Sequence, residues 1–326
     1  MRRLGVIAAI AIAILVVSYP LIGGVVVSTQ LASILRVGAP TAQGDGWPTP
    51  RRPEDIGYVG DPGTAYGYAF TDISLPTDIG DMPAWLVTPD TASSRWAIFV
   101  HGIGGRRENG YRFLPVLQDA NLLTILFAYR NDEGAPKDPS GYYAFGLTEW
   151  HDLDAAVGYA LANGARDVVL VGESMGGGIV GQFLRHSEKA DAVAAIVLDA
   201  PALDFTAIVG STVGGMGLPF ASTLANIGVP LSGLTLPLKL SEADVLDDVI
   251  LAFQPQPPGF LGTGLALVAD EVLVGDGLGP DETLFEVSMD HRCGLRRGGA
   301  TLDRPGAHFL DPGGVVGLKS QQGIGG

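Results

Sequence analysis

The chain has 326 residues and one cysteine, Cys293, so no disulfide can close within it. Basic residues are scarce: 20 Lys and Arg stand against 35 Asp and Glu, a net charge of −15. Such a surface repels phosphate backbones, which argues against nucleic acid as a partner. There is no zinc-type spacing of Cys and His, no phosphate loop and no G-x-G-x-x-G turn, so no metal and no cofactor is implied. Histidine occurs only at 101, 151, 186, 291 and 308, which limits the candidates for a general base. No internal repeat is visible. Apolar residues, by contrast, make up 47 % of the chain, enough for a large core.

The N-terminus is one long apolar run. Met1-Arg2-Arg3 precedes 24 uncharged residues from Leu4 to Val27. As a helix they would rise about 36 Å, enough to cross a hydrocarbon core of about 30 Å with some tilt. A cleaved signal peptide would have an apolar core of only about 7–15 residues, so the length favours an uncleaved anchor. Two arginines on the short side favour a cytoplasmic N-terminus and an extracytoplasmic body. The expected division is an anchor over 1–28, a Gly/Pro-rich linker over 29–66, a main domain over 67–291 and an irregular tail over 292–326.

Within the domain, apolar runs at 68–75, 82–88, 94–100, 122–128, 168–171 and 194–198 read as strands. Residues 76–81 read as the connection between the first two. Helical spacing covers 108–120 and 149–163, and 131–147 is a Gly/Pro/Tyr-rich loop. Strands alternating with helices predict a mostly parallel sheet covered on both faces.

Gly172-Glu173-Ser174-Met175-Gly176 reads G-x-S-x-G, between the apolar run 167–171 and a glycine-rich segment able to begin a helix. Strand, sharp turn and helix is the setting that exposes a serine hydroxyl for attack on a carbonyl. A second strand-like run, 95–100, ends in His101-Gly102-Ile103-Gly104-Gly105. In these two motifs, in this order, the chain resembles the α/β-hydrolase superfamily, in particular its esterase, monoacylglycerol-lipase and serine-aminopeptidase-like branch. The resemblance implies an α/β fold, Ser174 as nucleophile, and the backbone amides of Ile103 and Met175 as the oxyanion hole. His101 is expected to bond within its loop, and His151, beside Asp152, to be structural.

The resemblance also implies an acid within H-G-T-x-D and a later histidine. The chain reads Leu261-Gly262-Thr263-Gly264-Leu265 at that place, with leucine where the acid belongs. Asp270 is then the expected acid, with Asp204 as the alternative. His291, at the end of the run 283–290, is the expected base, with His308 as the alternative. Residues 205–245 are either a cap over the site or a helical excursion packed on the sheet. The tail from 292 carries five basic residues and two acidic ones, reversing the charge balance of the body, and this points to a segment altered by deletion or a shift of reading frame. The reading is a membrane-anchored hydrolase of small acyl esters, with the lipid bilayer as its other partner.

Overall fold

The computed structural model describes residues 2–39, 49–91 and 93–252, and beyond them the backbone of the strands Gly264–Val268, Leu284–Met289 and Val315–Ser320. Asp270, His291 and His308 lie outside the described residues.

Alternation along the strands builds the domain. In β3 (Arg95–Val100), Trp96, Ile98 and Val100 face one core while Ala97 and Phe99 face another. In β5 (Asp167–Glu173), Val168 and Leu170 face the first core, and Val169 and Val171 the second. A strand buried on both faces in this way belongs in the middle of a parallel sheet. β4 (Leu123–Phe127) and β5 flank β3 in parallel, and β6 (Val193–Asp199) continues beyond β5. β1 (Phe70–Thr77) and β2 (Gly80–Val87) close one side as an antiparallel hairpin.

The first core takes its helical cover from α4 (Trp150–Ala162), α5 (Met175–His186) and α8 (Leu246–Ala252). The second is covered by a 3-10 segment (Arg107–Arg112) and α3 (Leu114–Asp119), with Tyr111, Phe113, Leu114 and Leu117 turned inward. Pro115 sits in the first turn of α3 and divides the helix expected over 108–120, since proline cannot continue a preceding hydrogen-bonded turn.

The expected connection at 76–81 is shorter than predicted. β1 runs through Pro76 to Thr77, and only Asp78 and Ile79 turn. Proline is tolerated there because β1 is the outermost strand, where a missing N–H breaks no ladder. The full order is β1-β2-β4-β3-β5-β6-β7-β9-β8, with β7 (Gly264–Val268), β8 (Leu284–Met289) and β9 (Val315–Ser320) all parallel to their neighbours. β9 comes from the tail expected to be irregular and lies between β7 and β8, so the strand before His291 is at the sheet's edge.

The N-terminal helix α1 spans Arg2–Ile34, past the expected boundary at 28. Its later half docks on α7 (Ala221–Ser232), and with α6 (Phe205–Gly215) they enclose a third core of Val27, Leu31, Leu35, Phe205, Val209, Leu224 and Val229. Residues 205–245, expected either as a cap or as an excursion packed on the sheet, contain a pair of helices that packs with α1. The expected linker also ends in structure: α2 (Pro62–Tyr66) is capped by Asp61 and its Tyr66 ring packs edge-on against Tyr111 at 5.8 Å.

Candidate active site

Ser174 stands between β5 and α5 with φ 50° and ψ −117°, a conformation that costs a non-glycine residue of order 1–3 kcal/mol and persists only where its surroundings enforce it. The enforcement is visible. The Ser174 amide donates to the Asp199 carbonyl at 2.9 Å, and its carbonyl accepts from Gly177 at 2.9 Å and Ala202 at 2.8 Å. A Cβ on Gly176 would stand 2.0 Å from the Val100 carbonyl oxygen, so the elbow closes only with glycine there.

Met175 is the first residue of α5. Its amide is among the four at a helix start with no carbonyl partner in the helix, and the dipole adds positive potential at that end. Gly102 lies across the turn: a Cβ there would be 3.0 Å from Ser174 Cβ and 3.6 Å from Oγ. The loop 101–105 thus comes directly beside Ser174, with Ile103 next in sequence and its side chain joining the first core to the third.

What holds this loop is a clamp around His101. The ring is fully buried and stacked on Tyr129 at 4.2 Å. Its Nδ1 is 2.9 Å from the Gly102 carbonyl oxygen and its Nε2 is 2.8 Å from Asp132 Oδ2. Both partners are acceptors, so both ring nitrogens donate and the imidazole is a cation. Burial pulls the pKa of His101 down, but the Asp132 carboxylate outweighs it and leaves the value raised above the ordinary one. The Tyr129 hydroxyl donates to the carbonyl oxygens of His101 and Gly102 at 3.0 and 3.2 Å, fixing the same turn from the other side. The expectation that His101 bonds within its loop agrees with this geometry.

Two further groups were not legible from the motifs. Arg112 donates to Glu173 Oε1 and to Asp199 Oδ2, both at 2.6 Å, and neutralises the two carboxylates that end β5 and β6 beside the elbow. Glu173, an acid beside Ser174 at the end of a buried strand, signals that some cation is needed, but the sequence does not say which one answers it. Glu149, fully buried, accepts from the amides of Ala144 and Gly146 at 2.7 and 2.9 Å and pins the loop over 131–147 (the rim loop). Its pKa is raised, chiefly by burial, against the pull of those amides.

Among the described residues no histidine is hydrogen-bonded to Ser174. His151 is exposed and stacks on Trp150 at 3.9 Å, and the His186 ring lies 5.4 Å from the same Trp150. Asp152, its neighbour, is buried against Arg130 rather than solvated. Asp204 caps α6, accepting from the Ala207 amide at 2.7 Å, and lines a cleft of about 420 Å³ with Thr206, Ser222, Asn226 and Asp244. Neither Ser174, Ile103 nor Met175 lines that cleft. Among the described residues there is no cluster of His, Cys, Asp and Glu able to hold a metal ion.

Residues 97–233 match the family model of the alpha/beta hydrolase fold. No curated protein matches the chain in sequence. Among solved structures, an esterase from Pyrococcus furiosus is 20 % identical with a TM-score of 0.45, the match covering 70 % of this chain and 79 % of that one. A thermostable carboxylesterase cloned from a metagenomic library is 18 % identical with a TM-score of 0.38, over 49 % of this chain and 57 % of that one. A hyperthermophilic esterase from the archaeon Pyrobaculum calidifontis gives 18 % identity and a TM-score of 0.38, over 49 % and 55 %. The match spans both the loop 101–105 and the strained serine turn, and with the strand order it gives this chain the α/β-hydrolase fold.

Proposed function

We propose that the chain is a serine hydrolase of carboxylic esters, acting through an acyl-enzyme on Ser174. The observation that carries this reading is the backbone of Ser174, held at φ 50° between an apolar strand and a helix start, with Gly102 beside its hydroxyl. Ser174 Oγ attacks the ester carbonyl and His291 takes its proton, with Asp270 orienting the imidazole. The amides of Ile103 and Met175 hold the oxyanion, each worth about 3 kcal/mol to the transition state. The proton passes to the leaving alcohol, and water then releases the acid. Asp204 and His308 remain the alternative acid and base.

The test is labelling of the full-length protein by a fluorophosphonate, which reacts only with an activated serine. Labelling is expected, and its loss in Ser174→Ala identifies the nucleophile. A folded protein that does not label would overturn the reading. It would favour a second one, a catalytically impaired hydrolase fold, because among the described residues neither base nor acid meets Ser174. Peptidase or amidase chemistry on the same serine would appear as labelling without ester turnover.

The same proposal places the protein at a membrane. The helix Arg3–Ile34 is long and apolar enough to span one, and a signal sequence near an N-terminus passes the same test. The packing of α1 supports the anchor: cleavage would strip Val27, Leu31 and Leu35 from the core they share with α7. In this reading Arg2 and Arg3 stay in the cytoplasm and the catalytic domain lies outside. An intact N-terminus in the membrane-bound protein, read by mass spectrometry, is the expected result.

A further inference from the structure

We propose that the tip of the α6–α7 hairpin, Met216-Gly217-Leu218-Pro219-Phe220, is a second membrane-inserting element that lies beside α1 within the acyl region of the bilayer. This inference rests on the reading of α1 as a membrane anchor and adds a second point of contact to it.

Composition gives the first indication. Charged residues are 17 % of the chain, yet 205–238 contains no Asp, Glu, Lys or Arg, and neither does 4–35. These two uncharged segments are the ones that pack together. The hairpin tip is nevertheless not covered: Met216 is 69 % exposed and Phe220 74 % exposed, with Leu218 exposed between them. Apolar groups at the end of a hairpin without any charge nearby mark an interaction surface rather than a solvated turn.

Geometry identifies the partner as lipid. α1 and α7 run parallel, since Gly23 meets Leu224 and both Gly24 and Val27 meet Gly228. The tip therefore points along α1 towards its N-terminus. Its level is fixed by the Tyr19 hydroxyl, which donates to the Pro219 carbonyl at 2.9 Å. A span needs about 20 apolar residues, and counting from Leu4 these end at Gly23. Tyr19 lies four residues short of that end, so the tip is about 6 Å inside the hydrocarbon boundary. The free part of α1 before Tyr19 is too short to span alone. If α1 crosses the bilayer, the hairpin tip must enter it.

Several polar groups of the tip backbone are paired, which lowers the cost of entry at that depth. The Met216 amide bonds to the Thr212 and Val213 carbonyls and that of Gly217 to Gly214, while Pro219 has no amide and its carbonyl is taken by Tyr19. The Phe220 carbonyl accepts from Leu224.

The test uses the full-length chain in phosphatidylcholine vesicles, with Cys293→Ser as background and single cysteines at Leu15, Phe220 and Glu188 labelled with an environment-sensitive fluorophore. Glu188 is an exposed acid on the body. Spin-labelled lipids should quench Leu15→Cys and Phe220→Cys several-fold more than Glu188→Cys, with headgroup-proximal spin labels the more effective at 220 and deep ones at 15. Quenching at 15 with a water-like signal at 220 would overturn the inserted tip while leaving the anchor intact. No quenching at 15 would overturn the anchor, and the present inference with it. A replacement of Phe220 by aspartate is the second variant: it should leave the melting temperature unchanged and lower the quenching of a label at 216.

Discussion

At the scale of single residues, the candidate site is built from buried charge as much as from the nucleophile. His101 is cationic because both its nitrogens face acceptors, and the raised pKa has a definite consequence for stability. A histidine whose folded pKa exceeds its unfolded value of about 6.5 contributes fully below that value, and the contribution is lost as pH rises through the folded pKa. Denaturant unfolding of the protein should therefore show stability falling as pH rises above about 6.5. In His101→Phe this limb should flatten, and Asp132, left buried without its partner, should cost about 3–5 kcal/mol. An unchanged limb in the variant would remove the cationic assignment. Gly102 offers a separate probe of geometry. A methyl there would press within 3.0 Å of Ser174 Cβ without touching the core, so Gly102→Ala should lower the rate of fluorophosphonate labelling on the order of a hundredfold while the melting temperature barely moves.

Among the elements, the joints are ionic where the faces are apolar. Arg130, buried after β4, holds α4 through two contacts of 2.9 Å with Asp152, the rim loop through Asp138 at 3.2 Å, and the β1–β2 turn through Asp78 at 2.7 Å. Its pKa is raised, since burial lowers it but hydrogen bonding and attraction from Asp152 outweigh that. Arg130→Met leaves Asp152 buried and uncompensated and should cost about 3–5 kcal/mol, while Arg130→Met with Asp152→Leu should recover a large part of the loss. Equal destabilisation by the single and double changes would show that Arg130 acts by packing alone. These joints also mark the limit of what was legible in the sequence. Strands such as 95–100 and 167–173 could be read because burial on both faces demands continuous apolar residues, and the turn at Ser174 because a strained turn admits few residue types. Arg130 and Arg112 could not be read, since their partners are distant in the chain and nothing in spacing announces them. Gly23 and Gly24 are residues that weaken an isolated helix, and nothing in the sequence shows their role in packing. They are where Leu224, Ile227 and Gly228 approach α1 closely. An all-apolar helix has no polar face to show which side meets protein.

For the whole molecule, the consequence is that α1, whose first half is a free apolar helix, is in its second half part of the folded body. Beyond its contacts with α7, its end is tied to the rim loop: the Val37 amide donates to the Gly141 carbonyl at 3.0 Å and the Tyr143 amide to the Leu35 carbonyl at 2.9 Å. That loop continues through Phe145, whose ring meets Phe205 at 4.6 Å, to Gly146 beside the Gly178 carbonyl of the elbow helix. An anchor joined by a free linker could be removed without consequence. Here two truncations should part company. Deleting residues 1–17 removes only exposed apolar surface and should yield a folded body with weakened attachment to membranes. Deleting residues 1–35 also removes Val27, Leu31 and Leu35 from the third core, at about 1.5–3 kcal/mol for each buried side chain. It further uncovers Leu224 and Val229 on α7 and frees the rim loop. A loss of that size is comparable with the whole stability of an ordinary domain, so the longer deletion should aggregate or melt far below the shorter one. Equal melting temperatures for the two would mean that the docked half of α1 adds nothing to the fold. In that case the junction at Gly24 and Gly228 would be only a resting place for the anchor, and the rim loop would keep its shape without it.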